Sequence, residues 1–130
     1  MKKTLLSLLL LTLSLMAEVT HEYPSQQILN SKIPIVDIRT PGEWKQTGLI
    51  KGAIPIMFFD ERGGYDAKAF INELNKKVNT AKPFALICRT GSRTKIISNF
   101  LSAEFGYKVT NLLGGMVFVK AKNLPITPYK

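Results

Sequence analysis

The sequence predicts an α/β domain with a mostly parallel central sheet and helices on both faces. Two observations carry this. Short apolar runs rich in β-branched residues, such as Ile33-Pro34-Ile35-Val36-Asp37-Ile38, read as strands buried on both sides. Between these runs lie longer segments with apolar residues at helical spacing. Strands that alternate with helices are joined by crossovers, which give a parallel sheet.

Taken in order, Tyr23 to Asn30 reads as a short helix with Pro24 near its start. The first buried strand follows at Ile33–Ile38. It ends in Arg39-Thr40-Pro41-Gly42, where Thr40 can cap a helix, with Pro41 at its first position and Glu43 at its third, a capping box. Gly52-Ala53-Ile54-Pro55-Ile56 reads as a second strand, followed by a loop around Arg62-Gly63-Gly64. Asp66 to Val78 is helical, with Phe70, Ile71, Leu74 and Val78 on one face. Pro83-Phe84-Ala85-Leu86-Ile87 is a further buried strand. A helix from about Thr94 to Phe105 is expected to bury Ile96, Ile97, Phe100 and Leu101, with Gly106 as its stop. Lys108 to Leu112 forms the last strand, and Gly114-Gly115 turns into a closing helix through Lys122.

The chain has 130 residues, and its start reads as a secretory signal peptide. Lys2 and Lys3 are followed by an apolar run from Leu5 to Met16, interrupted by Ser7, Thr12 and Ser14, and then by the small Ala17. A membrane-crossing helix needs roughly 20 apolar residues, so this run is short for an anchor. Residues 1–17 are therefore expected to be cleaved, leaving 18–130 as one exported, periplasmic-type domain with no stable membrane anchor. Loss of Lys2 and Lys3 lowers the formal charge from +9 to +7. That surface favours small anionic partners. The basic residues are scattered and no zinc-finger or RNA-binding spacing appears, so no nucleic-acid partner is expected. One cysteine and one histidine make no ligand cluster, so neither a metal nor a cofactor is expected.

Cys88 is the only cysteine and cannot form an internal disulfide. It ends a buried strand and opens the loop Arg89-Thr90-Gly91-Ser92-Arg93, which feeds a helix N-terminus. Such a terminus presents unpaired N–H groups and partial positive charge to an anion. Those features favour a thiolate or persulfide over the neutral thiol. Arg89 and Arg93 add full charges, Gly91 permits a ring-like backbone, and Ser92 or Thr94 can hydrogen-bond inward or cap the helix. A buried, inert cysteine is the ordinary alternative, but two arginines, a glycine and a serine beside it do not suit an apolar site.

Cys88-Arg89-Thr90-Gly91-Ser92-Arg93 resembles the active-site loop of the rhodanese family. Two further stretches are similar to that family's signatures: Val36 to Trp44 running on to Gly48-Leu49-Ile50-Lys51-Gly52-Ala53-Ile54, and Asn111-Leu112-Leu113-Gly114-Gly115-Met116 leading to Leu124-Pro125. Three positions depart from the pattern: Leu49 replaces a usual histidine, Val119 a common tryptophan and Asn123 a glycine. The resemblance implies a small exported thiosulfate sulfurtransferase with Cys88 as the catalytic persulfide carrier. Arg89, Thr90, Gly91, Ser92 and Arg93 would bind the anionic sulfur donor, and a thiol or cyanide would accept the sulfur. Asp37 would brace the site, and Arg39 would pair with Glu43 or line the rim, although both have ordinary structural readings. His21 and Trp44 are given no catalytic part. Two alternatives stand beside this reading. One is a non-catalytic rhodanese-like persulfide carrier or binding module. The other is a cysteine-dependent phosphatase or arsenate reductase, whose wider loop places five residues between cysteine and arginine against four here.

Overall fold

In the computed structural model, which describes residues 18–130, the chain begins with β1 (Thr20–Glu22), α1 (Gln26–Asn30), β2 (Ile35–Asp37) and α2 (Pro41–Thr47). It continues through β3 (Leu49–Ile50), β4 (Ile54–Pro55), α3 (Ala67–Lys77) and β5 (Phe84–Ile87). The last elements are α4 (Ser92–Phe105), β6 (Val109–Leu112), α5 (Gly115–Ala121) and β7 (Ile126–Thr127). The expected leader, residues 1–17, lies outside the described residues.

One sheet has the order β1-β6-β5-β2-β4, with every neighbouring pair parallel. From β2 the chain builds outward to β4, and from β5 it builds the other way through β6. The topological switch point therefore lies between β2 and β5. In open α/β sheets the crevice at the carboxyl ends of such strands is where ligands bind.

Side chains alternate across the sheet, as strand geometry requires. Val36, Leu86 and Val109 pack with Phe70 and Leu74 of α3 and with Ile97 and Leu101 of α4. Ile35, Ala85, Ile87 and Leu112 pack on the other face with Met116 and Val119 of α5, and Ile28 and Leu29 of α1 close that layer. Removing a buried Leu side chain such as that of Leu74 costs about 2–5 kcal/mol. These two layers make the expected α/β architecture.

Local signals explain the element starts. The Ser25 hydroxyl accepts from Ile28 N–H at 3.1 Å to open α1, and Asp66 accepts from Ala69 N–H at 3.0 Å to open α3. The capping box of α2 forms in both directions between Thr40 and Glu43.

Two expectations need correction. Ile96 does not join the buried stripe of α4: it is 62% exposed, while Thr94, Ser98 and Ser102 lie buried beside Ile97 and Leu101. Small hydroxyl-bearing side chains let this helix approach the sheet, and Ile96 turns outward. Beyond the expected strands, β1 extends the main sheet, and β3 pairs antiparallel with β7 in a separate ribbon. Gly48 allows that ribbon to form, since a Cβ there would come within 2.7 Å of Thr127 O.

Candidate active site

Cys88 is the first residue past β5 and is fully buried, under a loop that passes directly into α4. The Gly91 N–H donates to Cys88 Sγ at 3.2 Å. Gly91 has φ +98°, a conformation that glycine adopts without steric cost. It serves as the residue before α4, so the helix begins at Ser92 rather than near Thr94. The expected side-chain cap is absent: the Ser92 hydroxyl pairs with that of Thr90 at 3.3 Å, and no side chain caps α4. The first N–H groups of this long helix are thus left for another acceptor beside the sulfur.

The double glycine shapes the loop from behind. Met116 N–H donates to Cys88 O at 2.9 Å, and Val117 N–H donates to Arg89 O at 3.0 Å. A Cβ on Gly115 would strike Cys88 O and come within 2.6 Å of the Arg89 carbonyl. Each trans peptide carries its N–H opposite its C=O. Loop carbonyls drawn toward α5 therefore turn the following amides away from it.

Arg89, Thr90 and Ser92 lie exposed on the rim of the loop. Arg93 turns back instead and forms a two-pronged contact with Glu43, Nη1 to Oε2 at 2.8 Å and Nη2 to Oε1 at 2.7 Å. The Arg93 guanidinium holds the Glu43 carboxyl down at about 2 against the opposing effect of burial, with Thr40 donors adding to the lowering. The same contact raises Arg93, and electrostatic interaction with Cys88 and Asp37 acts in the same direction.

Asp37 and Arg39 sit at the end of β2, and neither is on the surface: they are 0% and 1% exposed. Arg39 Nε and Nη2 reach the Asp37 carboxylate at 3.0 and 2.8 Å, and Trp44 Nε1 donates to it at 3.2 Å. Arg39 also donates to Thr47 Oγ1 at 2.6 Å and Gly48 O at 2.7 Å. Arg39 was expected to pair with Glu43 or line the rim. Its acid is Asp37, and it reaches Glu43 only through a 3.5 Å contact to the backbone carbonyl. The reason is positional: Arg39 precedes α2 and its side chain lies under the helix, while Glu43 faces the Cys88 loop.

Thr94 makes the inward hydrogen bond that the sequence allowed for, whereas Asn111 had no role assigned and His21 was given no catalytic part. Thr94 Oγ1 lies 3.6 Å from Cys88 Sγ and donates to Asn111 Oδ1 at 2.6 Å. The Asn111 amide in turn meets His21 Nδ1 at 3.1 Å. A polar Asn in the fully buried strand β6 marks this group. Nothing local marks His21, which the parallel pairing of β1 with β6 brings opposite Asn111.

The model of the rhodanese-like domain family matches residues 20–122 of this chain. An uncharacterized protein of Rickettsia prowazekii (strain Madrid E) is 35% identical over 85 residues, spanning 62% of this chain and 66% of that protein. Among solved structures, a rhodanese-like domain protein from Staphylococcus aureus superposes with a TM-score of 0.60 at 23% identity, covering 83% of this chain and 99% of that one. A polysulfide-sulfur transferase homodimer from Wolinella succinogenes superposes with a TM-score of 0.64 at 21% identity, covering 90% of this chain and 84% of that one. The structural likenesses show the fold, and the family match over residues 20–122 takes in the Cys88 loop: the chain belongs to the rhodanese-like domain family.

Proposed function

We propose that this protein is a sulfurtransferase that moves a sulfane sulfur from a small anionic donor to a thiol or cyanide through a persulfide on Cys88. The observation that carries the reading is the enclosure of Cys88 by a loop whose Gly91 N–H points at the sulfur, beside the uncapped start of α4. Family membership supports sulfur-transfer or persulfide chemistry in general. With thiosulfate as donor, the Cys88 thiolate attacks the outer sulfur. A new S–S bond forms, the S–S bond of thiosulfate breaks, and sulfite leaves with the electron pair. Cyanide or a thiolate then attacks the outer sulfur of the persulfide, and Cys88 leaves as thiolate. This is covalent catalysis, one intermediate dividing the transfer into two displacements.

In this reading Arg89 offers the exposed charge that draws the donor, while Arg93, tied to Glu43, holds the loop and adds its field. Thr90, Gly91 and Ser92 form the rim and the turn, and Asp37 and Arg39 support the floor. The leader pattern in residues 1–17 supports an exported setting. One fold neighbour is a polysulfide-sulfur transferase, which makes polysulfide a second donor to test.

The test is intact-mass spectrometry after incubation with thiosulfate and, separately, polysulfide, followed by cyanide. The expected result is a gain of one sulfur mass, discharged as thiocyanate, with neither step in Cys88→Ala. If no donor places sulfur on the native protein, the sulfurtransferase reading fails and a binding module accounts better for the fold.

A further inference from the structure

His21, Asn111 and Thr94 form a continuous polar chain that ends at the Cys88 sulfur. From the surface inward, His21 Nδ1 to Asn111 Nδ2 is 3.1 Å, Asn111 Oδ1 to Thr94 Oγ1 is 2.6 Å, and Thr94 Oγ1 to Cys88 Sγ is 3.6 Å. Asn111 and Thr94 are buried, at 1% and 0% exposure, while His21 is exposed. His21 lines a cleft of about 390 Å³ next to the loop, with Thr90, Ser92 and Lys95 among its walls.

The direction of each hydrogen bond follows from the donor inventory of these side chains. With the Asn111 NH2 turned to His21, Nδ1 is the acceptor, an arrangement made by a neutral imidazole that carries its proton on Nε2. The Thr94 hydroxyl has a single proton, which goes to Asn111 Oδ1. Thr94 then has no proton for the sulfur, so in the Cys88–Thr94 contact the sulfur is the donor. This arrangement suits a neutral thiol.

Protonating His21 reverses the chain. Nδ1 becomes a donor and faces the Asn111 NH2, a clash that a half-turn of the amide relieves. Oδ1 then accepts from His21, Nδ2 donates to Thr94 Oγ1, and the Thr94 proton is released. It can go to Gly91 O, 3.2 Å away, or to the sulfur. An anionic sulfur is the stronger acceptor. The reversed arrangement therefore suits a thiolate or a persulfide anion.

We propose that His21 is a positioning residue whose protonation, passed through Asn111 and Thr94, turns the Thr94 hydroxyl toward Cys88 and stabilises its anionic sulfur. This deepens the sulfur-transfer reading and rests on it only for its consequence, a sulfur transfer tuned between about pH 5 and 8, where histidine changes charge. Among the described residues lining its cleft, Lys95 of α4 is the charged group, the β6 residue opposite His21 is the uncharged Asn111, and Glu22, next on β1, lines a separate cleft with Tyr23 and Ser25.

The chain contains one histidine and one cysteine, so the titration of each is read without assignment. The experiment follows the imidazole signals of the intact chain by NMR from about pH 5 to 9 in the native protein, Cys88→Ala and Thr94→Val. The native protein is expected to show the Nε2-protonated tautomer at high pH. Its His21 midpoint should lie roughly half a pH unit above that of Cys88→Ala, because an anion at the far end of the chain favours the imidazolium. Thr94→Val should abolish that difference while leaving the fold intact. A direct charge effect through space would survive Thr94→Val, so a midpoint difference that persists there overturns the relay. A native midpoint equal to that of Cys88→Ala, or a neutral tautomer with its proton on Nδ1, also overturns it. None of these readouts requires sulfur transfer, so they stand apart from the mass-spectrometric test of function. Where transfer is active, His21→Gln should flatten the pH dependence of cyanide discharge and leave the rate at about pH 9 within roughly twofold of native.

Discussion

Two arginine–carboxylate pairs stand at the carboxyl end of the sheet, and they differ in what surrounds them. The Asp37–Arg39 pair joins residues two apart, lies at 0% and 1% exposure, and has partners on nearly every polar atom. The Glu43–Arg93 pair joins residues 50 apart, and its side chains keep 23% and 26% of their exposure. Both are two-pronged, yet water reaches only one. Burial thus separates a fixed internal brace for β2 and α2 from a clasp that fastens α2 to the Cys88 loop.

The largest effect should come from breaking the internal brace. Arg39→Ala leaves the Asp37 carboxylate buried without its partner, which costs about 3–5 kcal/mol. Set against a total stability of roughly 5–15 kcal/mol, that loss should appear in urea melts as a chain close to unfolding at ordinary temperature. A loss below about 1 kcal/mol would mean that the pair is no more than a surface contact.

Breaking the clasp should cost less. Glu43→Gln removes the Arg93 contact and weakens the capping box of α2, for a loss of roughly 1 kcal/mol once solvent screening is allowed for. The pH dependence carries the sign. The Glu43 carboxyl is lowered in the folded protein from 4.5 to about 2, so its stabilisation is complete above the unfolded value. It is lost as the pH falls from about 4.5 toward 2. Urea midpoints of the native protein and Glu43→Gln should therefore converge over that interval, and a constant gap would show that the difference comes from the cap alone.

The smallest effect should come from salt. Raising ionic strength to about 1 M shortens the screening length to roughly 3 Å. The Glu43–Arg93 contribution, measured by a double-mutant cycle with Arg93→Ala, should fall by a few tenths of a kcal/mol. The Asp37–Arg39 pair, closed to ions, should change less in the same comparison.

The parts of the site that were legible in sequence are those made of neighbouring residues. Cys88 to Arg93 is one unbroken turn, and the Thr40–Glu43 capping box spans four residues. The partners of Arg39 and Arg93 were not legible: Glu43, four positions on, was as good a candidate for Arg39 as Asp37, and a bound anion was as good a candidate for Arg93 as Glu43, 50 positions away. Ile96 carried the same apolar signal as Ile97, and only the way α4 lies on the sheet decides which one is buried. β1 escaped because its three residues are exposed and carry no alternation. The departures at Leu49 and Val119 are absorbed by packing, both being buried, and Asn123 takes the position with φ +53°, which asparagine tolerates better than most residues.

The amino-acid sequence by itself determined the class of the fold, the order of most elements, and the placement of a lone cysteine between a buried strand and a helix start. Those properties follow from local periodicity and from backbone groups that neighbouring residues do or do not satisfy. Tertiary structure decided which charges cancel, which arginine remains on the rim, and that His21 stands at the end of a chain leading to Cys88. These depend on contacts between residues as many as 90 positions apart. Sheet order and helix packing bring such residues together, and no local pattern in the sequence records the meeting.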